Sequence, residues 1–265
     1  MEKSTVIGVV LGVLAVTVGM VFKGASLTAL INPAAFLIII VGTVACLMNG
    51  FPMAQVKNFP KLFKMLFKEQ HLMPRAEAMQ LFLELAQLAR REGLLALEPK
   101  LEEISDPYLK SGLNMVIDGM DPELVIDILA LDISQMEERH RSGALVFAQA
   151  GMYAPTLGVL GAVIGLVAAL GNLDDIEKLG HSIAAAFIAT LLGIFTGYVL
   201  WHPFSNKLKI LSKNEVELKR MMMEGILSLQ AGDNPVTVEA KLRVFVPQAE
   251  RAKLKPKEVP DVETA

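Results

Sequence analysis

The chain has 265 residues, 25 basic against 28 acidic, with a formal charge of -3, a hydrophobic content of 53% and a mean hydropathy of +0.47. That hydropathy is high for a water-soluble domain and points to the membrane class, and the balanced charge excludes a nucleic-acid binder driven by bulk charge. The single cysteine, Cys46, excludes an intramolecular disulfide, and its apolar neighbours predict a buried thiol.

Four windows carry no Lys, Arg, Asp or Glu: residues 4–22, 24–56, 142–173 and 179–206. Each provides the roughly 18–20 residues a helix needs to cross about 30 Å of hydrocarbon, so four transmembrane helices are expected. The first window could be a cleaved signal peptide. However, Phe22-Lys23-Gly24-Ala25-Ser26 makes a poor cleavage site and a second apolar window follows at once, so it reads as a retained span. Lys57, Lys61, Lys64 and Lys68 follow the second window, and Lys207, Lys209, Lys213, Lys219 and Arg220 follow the fourth. The short connection between the third and fourth windows instead carries Asp174, Asp175 and Glu177 against one base, Lys178. Basic residues collect on the cytoplasmic side, so that connection is placed outside, with both termini and the segment between spans two and three in the cytoplasm. The interval from Lys57 to Arg141 holds 26 of the 53 charged residues, which makes it the working part.

Within that segment, Met79, Leu81, Phe82, Leu85, Leu88 and Ala89 recur with helical spacing over residues 74–91, and Gly93 is the expected stop. A second helix is expected over 94–104, interrupted or kinked by Pro99, and a third over 108–118. Asp121-Pro122-Glu123 is a strong helix start, with an acidic cap, proline in the first turn and an acid beside it. No comparable stop follows, so this helix is expected to run into span three, giving about 50 residues and roughly 75 Å. Span four likewise continues past Pro203 into a charged helix over 205–229, and the tail after Pro247, rich in Lys, Glu and Pro, reads as disordered. The expected fold is all-α: a four-span integral membrane protein with a helical cytoplasmic domain between spans 2 and 3. Its parts are spans 1 and 2 over 1–51, the cytoplasmic domain over 52–141, spans 3 and 4 over 142–203, and a cytoplasmic helix with its tail over 204–265.

Span three carries Gly151, Pro155, Gly158, Ala162, Gly165 and Ala169 at helical intervals, all small. Span four has a counterpart in Ser182, Ala186, Thr190, Gly193 and Gly197, and span one has Gly8 and Gly12. In lipid, helices associate through close backbone approach, which such stripes permit. Two readings stay open: the stripes pack the helices of one chain, or they receive another copy or a partner's helix. No carboxylate, Lys or Arg lies within the core of any span, although proton and ion paths ordinarily use such groups. If ions flow, the titrating group comes from another polypeptide, with Thr156, Thr190 and Thr196 supplying hydroxyls beside it. His181 and His202 sit at the two edges of span four as interfacial histidines. There is no phosphate-binding loop, nucleophile elbow or metal-ligand cluster, so no catalytic residue, metal or cofactor is assigned and the chain is not read as an enzyme.

The stretch Gln149-Ala150-Gly151-Met152-Tyr153-Ala154-Pro155-Thr156-Leu157-Gly158-Val159-Leu160-Gly161-Ala162-Val163-Ile164-Gly165-Leu166-Val167 strongly resembles span three of the MotA family, the flagellar motor stator subunits. Asn32-Pro33-Ala34-Ala35, Ala89-Arg90-Arg91-Glu92-Gly93 with Leu97-Glu98, Ala189-Thr190-Leu191-Leu192-Gly193-Ile194 and Tyr198-Val199-Leu200-Trp201-His202-Pro203 resemble further motifs of that family in the same order. The likeness covers about residues 4–230 and is nearest the Gram-positive type.

The resemblance implies a bacterial cytoplasmic-membrane protein, five copies of which ring two MotB chains, each MotB adding one helix with an ion-binding aspartate. It implies that Arg90 and Glu98 meet charges on the rotor protein FliG, although read alone both are solvated helix charges. It also implies that Pro155 and Pro203 set helix angle, that Thr190 lines the ion path and that Tyr198 takes part in coupling; plain helix packing is the alternative for each. Sodium-driven relatives carry threonine where Ala162 stands, and alanine offers no oxygen ligand, so protons are the expected ion. The alternatives are a sodium-driven stator of the same family, an ExbB- or TolQ-like energiser, which would have three spans rather than four, and a structural scaffold that carries no ions.

Overall fold

The computed structural model describes residues 2–251. The fold is α-helical, with no strand among the described residues, and four helices are long and apolar enough to cross a membrane: Lys3–Phe22, Leu27–Gly50, Pro122–Leu170 and Ile176–Gln230. The fold class expected from the charge-free windows is therefore the one observed. The chain packs as two compact units, residues 2–70 with 138–212 and residues 71–137 with 213–251.

The first unit contains the apolar helices. Span two is opened by Asn32, whose side chain accepts from the Ala35 backbone N–H at 3.1 Å, with Pro33 in the first turn where its missing donor costs nothing. Asp175 caps the helix Ile176–Phe195 by accepting from the Lys178 N–H at 3.1 Å, and this bond holds its carboxyl below the usual carboxylate range. Pro155 lies inside Pro122–Leu170, which continues through it. Ahead of Pro203 the fourth span widens into a π-helical turn, Thr196–Trp201. Proline has no N–H for the carbonyl four residues back, here Val199, and its ring crowds that oxygen, so the wider turn relieves both problems.

Two short helices follow span two, Met53–Lys57 and Phe59–Phe67. The second turns Phe59, Phe63 and Phe67 into an aromatic cluster with Phe147, Trp201 and Phe204: Phe59 stacks on Phe147 at 4.6 Å between centroids, and Phe63 meets Phe204 edge-on at 5.8 Å. Such pairs add to the burial of large rings. The first residues of the chain pin this helix from its end. The Glu2 N–H donates to the Phe67 carbonyl at 3.1 Å, and the Thr5 hydroxyl donates to the Leu66 carbonyl at 2.9 Å. Lys207 then reaches the Glu2 carboxylate at 3.0 Å and the Thr5 hydroxyl at 2.6 Å.

The second unit is helical, and its core includes Phe82, Leu85, Leu97, Leu109, Leu113, Leu129, Met221, Met222 and Ile226. Helix Arg75–Glu92 ends at Gly93, whose φ of 86° lies in the region that favours glycine. The helix expected over 94–104 is instead a 3-10 turn, Leu94–Leu97, followed by a single α turn, Glu98–Leu101. Pro99 stands in the first turn of the latter, so of the two expected effects, interruption or kink, it is interruption that is found. Pro107–Ile117 is capped by Asp106, which accepts from Tyr108 and Leu109 N–H at 2.9 and 3.0 Å. After Gln230 the chain turns through Gly232 into the helix Pro235–Arg243, which Asn234 caps by accepting from the Thr237 N–H at 2.8 Å. Residues 248–251 form one further helical turn, and the rest of the segment expected to be disordered, 252–265, lies outside the described residues. Cys46, expected to be buried, is half-buried.

Candidate functional site

The small-residue stripes of spans three and four meet each other. A Cβ on Gly158 would lie 2.9 Å from both the Ala189 carbonyl oxygen and Gly193 Cα, and one on Gly165 would lie 2.9 Å from Ala186 Cβ. Further along, a Cβ on Gly197 would lie 2.6 Å from Pro155 Cγ, and one on Gly151 would lie 2.8 Å from the His202 ring. Gly12 of span one packs on Val199 in the same way, while nothing stands within 4 Å of Gly8. Packing within one chain, the first of the two readings of these stripes, is present between spans three and four.

The sequence-predicted residues fall in two places. In the first unit, Pro155 is half-buried against Gly197, the neighbour of Tyr198 in the chain. Ala162 and Thr190 are half-buried, and their neighbours Gly161 and Ala189 touch, since a Cβ on Gly161 would lie 3.0 Å from Ala189 Cβ. Tyr198 is 63% exposed with its ring 5.2 Å from that of His202, and Pro203 is exposed. The hydroxyls bond back along their own helices: Thr190 donates to the Ala186 carbonyl at 3.4 Å, Thr196 to Leu192 at 2.8 Å and Thr156 to Met152 at 3.2 Å. Each donor is thus occupied while oxygen lone pairs remain available to a passing ion or water. Nothing in these segments can hold a proton as a carboxyl does, because residues 142–173 and 179–206 contain no acid.

In the second unit, Arg90 stands in the last turn of Arg75–Glu92 and Glu98 at the first position of Glu98–Leu101, both exposed. Gly93 and the 3-10 turn between them reverse the chain, with Leu97 as a fully buried anchor and Leu95 71% exposed. The sequence reading missed Leu95. It continues an apparently apolar run, Leu94-Leu95-Ala96-Leu97, and only the 3-10 geometry turns one of these leucines outward. Arg90 also borders a small cleft with Ala86, Ala89, Gly93, Leu94 and Leu229.

Beside the turn at Gly232, Lys241 lies 2.9 Å from Asp233 and 3.3 Å from Glu224. Bonding to Asp233 and Glu224 raises the ammonium above the ordinary lysine value, and Lys241 in turn holds the Asp233 carboxyl down. Burial pushes the Tyr108 hydroxyl well up, helped by Asp132 and Asp106, while Lys219 sits 4.5 Å over its ring. These groups fasten the domain together. No cluster of metal-ligating side chains occurs among the described residues.

Comparison with known proteins agrees with this arrangement. The profile of the MotA/TolQ/ExbB proton channel family matches residues 100–221, and that of the Motility protein A N-terminal region matches residues 6–93. Motility protein A of Bacillus subtilis is 54% identical over 253 residues, covering 96% of this chain and 94% of that protein. A chain in the structure of the flagellar MotAB stator complex from Bacillus subtilis superposes with a TM-score of 0.90 at 53% identity, covering 95% of this chain and 99% of that one. A chain in the structure of C. jejuni MotAB does so with a TM-score of 0.89 at 34% identity, covering 94% and 97%. With four apolar helices, stripe-to-stripe packing of the last two spans and these matches across nearly its whole length, the chain belongs to the MotA/TolQ/ExbB proton channel family.

Proposed function

We propose that this chain is the stator subunit of a bacterial flagellar motor, which with a MotB partner forms a proton-conducting, torque-generating complex. The observation that carries the reading is the pairing of acid-free apolar windows with similarity, over nearly the whole length, to chains of two MotAB complexes. Five copies would ring two MotB chains in the cytoplasmic membrane, with both termini and residues 52–141 and 204–265 in the cytoplasm. The Lys-rich flanks of spans two and four and the acidic connection at residues 174–177 support that orientation.

The physical scheme follows from what the chain lacks. A proton from outside neutralises the partner's aspartate in the low-dielectric space against spans three and four. Removing a buried charge removes its desolvation cost, so helix contacts favoured before protonation are no longer favoured. The ring then steps around the central dimer. Pro155 and Pro203 set the angles of the two spans, Ala162 and Thr190 face the ion route, and Tyr198 carries the step toward the cytoplasmic end. Arg90 and Glu98 pass it to the charged face of the rotor protein FliG by complementarity of charge. Because Ala162 offers no oxygen, protons rather than sodium are the driving ion.

Expression in a bacterium lacking its own stator subunits, together with the cognate MotB, tests the reading. Swimming that collapses when the proton gradient is dissipated supports it, and cells that stay immotile although both proteins are in the membrane contradict it.

A further inference from the structure

Lys57, Lys61, Lys64 and Lys68 recur at intervals of 4, 3 and 4, and residues 51–68 contain no acid at all. All four are exposed, and none forms an ion pair among the described residues. On the helix Phe59–Phe67, Lys61 and Lys64 point away from Phe59, Phe63 and Phe67, whose rings are committed to Phe147, Trp201 and Phe204; Lys57 ends the helix before it and Lys68 is its C-cap. By contrast Lys207, in the same unit, is neutralised by Glu2 at 3.0 Å.

The depth of this lysine stripe is set by its neighbours. Lys57 comes seven residues after span two ends at Gly50. Phe147 lies near the end of the charge-free window 142–173 that follows Arg141, and Phe204 near the end of window 179–206 that precedes Lys207. The helix thus lies where three charge-free segments give way to charge, at the level of lipid headgroups. Exposed Met53 and Met65 flank the lysines with apolar surface, and lysine stems reach along such surface while the ammonium stays in the polar layer. The N-terminal bonds to Leu66 and Phe67 hold the helix in place, so Lys61 and Lys64 stand on a fixed helix with Lys57 and Lys68 at its two ends rather than on a loose tail.

We infer that the helix pair Met53–Lys57 and Phe59–Phe67 is a binding site for anionic phospholipid, with Lys57, Lys61, Lys64 and Lys68 taking the headgroup phosphates. Clusters of four or more basic residues directly beside a span or on an amphipathic helix recognise such lipids through the negative potential of the leaflet. The site requires only that the chain is embedded in a bilayer, and its test does not read motility, so the stator assignment and the lipid site can fail separately.

The test uses the full chain co-purified with its single-span partner in nanodiscs of phosphatidylcholine containing phosphatidylglycerol, with association of spin-labelled phosphatidylglycerol and phosphatidylcholine compared. The native complex selects phosphatidylglycerol, the fourfold Lys→Arg variant keeps that selection, and the fourfold Lys→Gln variant weakens it by at least about fivefold, the factor equivalent to ~1 kcal/mol for a single surface lysine. Should the fourfold variant fail to assemble, Lys61→Gln and Lys64→Gln alone give graded losses. Unchanged selectivity in the glutamine variants overturns the site. So does its abolition by inorganic phosphate at matched concentration, or a glutamine variant whose copies separate in pure phosphatidylcholine, which would assign the lysines to a neighbouring copy.

Discussion

Gly158 and Gly193 bring the backbones of spans three and four into direct contact: a Cβ on Gly193 would lie 2.7 Å from Gly158 Cα and 2.8 Å from the Ala154 carbonyl oxygen. The obstacle is backbone on both sides, so neither helix can make room by turning a side chain. Gly193→Ala or Gly158→Ala is expected to destabilise the membrane part by about 1–3 kcal/mol, the usual cost of overpacking. Gly180→Ala, where nothing stands within 4 Å, is expected to be neutral. Thermal unfolding of the purified complex in detergent checks this, and an equal melting temperature for all three variants would refute the contact.

Arg90 and Glu98 are exposed at the two ends of one turn, so reversing them should leave folding intact while altering what the turn can bind. Arg90→Glu with Glu98→Lys is expected to change stability by no more than about 0.5 kcal/mol. Tethered-cell torque at low expression is expected to fall sharply and to recover when the facing rotor charges are reversed. Unchanged torque would remove both residues from the rotor contact. Leu95→Asp, which alters the exposed leucine between them, is expected to lower torque without restoration by rotor charge reversal.

The proposed proton specificity rests on Ala162. Swimming driven by the native chain is expected to be insensitive to external sodium, and Ala162→Thr, which adds an oxygen to a half-buried position in span three, is expected to introduce a sodium response. Swimming of the unmodified protein that already requires sodium would reverse the assignment.

The Asp233–Lys241–Glu224 cluster gives the helix Pro235–Arg243 a pH dependence. Asp233 is held below the ordinary carboxylate value, so its contribution is complete above about pH 4 and is lost as pH falls through its folded value. Lys241 is raised, so its contribution is complete below about pH 10 and is lost as pH rises through its folded value. The groups are partly exposed, which limits the effect to about 1 kcal/mol or less. Protection factors of residues 235–243, taken relative to intrinsic exchange at each pH, are expected to fall at acid pH in the native chain, and Lys241→Met is expected to remove that dependence. Identical exchange profiles for the two would dismiss the cluster as a fastening.

What the sequence disclosed, and what it hid, follow from the kind of signal involved. The four apolar helices were legible because a charge-free window long enough to cross hydrocarbon has few other uses. Helix starts were equally plain where an acid or amide precedes proline, as at Asp121-Pro122, and the same signature at Asn234-Pro235 would have disclosed the helix Pro235–Arg243. The helix Phe59–Phe67 was hidden because its lysines drew notice as a topology signal, while the phenylalanines on its other side, which bind it to Phe147 and Phe204, went unused. Small-residue stripes show that helices come close but not which helices. That Gly158 faces Gly193, and Gly197 faces Pro155, emerges only from the packed chain. The π turn before Pro203 and the 3-10 turn after Gly93 leave no periodic trace, since each spans a single turn.

Ion flux into sealed liposomes, measured for the chain alone and for the chain with its MotB partner, tests the central claim most directly. Spans without a single acid require a borrowed carboxyl, so protons are expected to enter only with the partner, and an aspartate-to-asparagine change in the partner's helix is expected to abolish that entry. Proton entry through the chain alone, at the rate seen with the partner, would contradict the account.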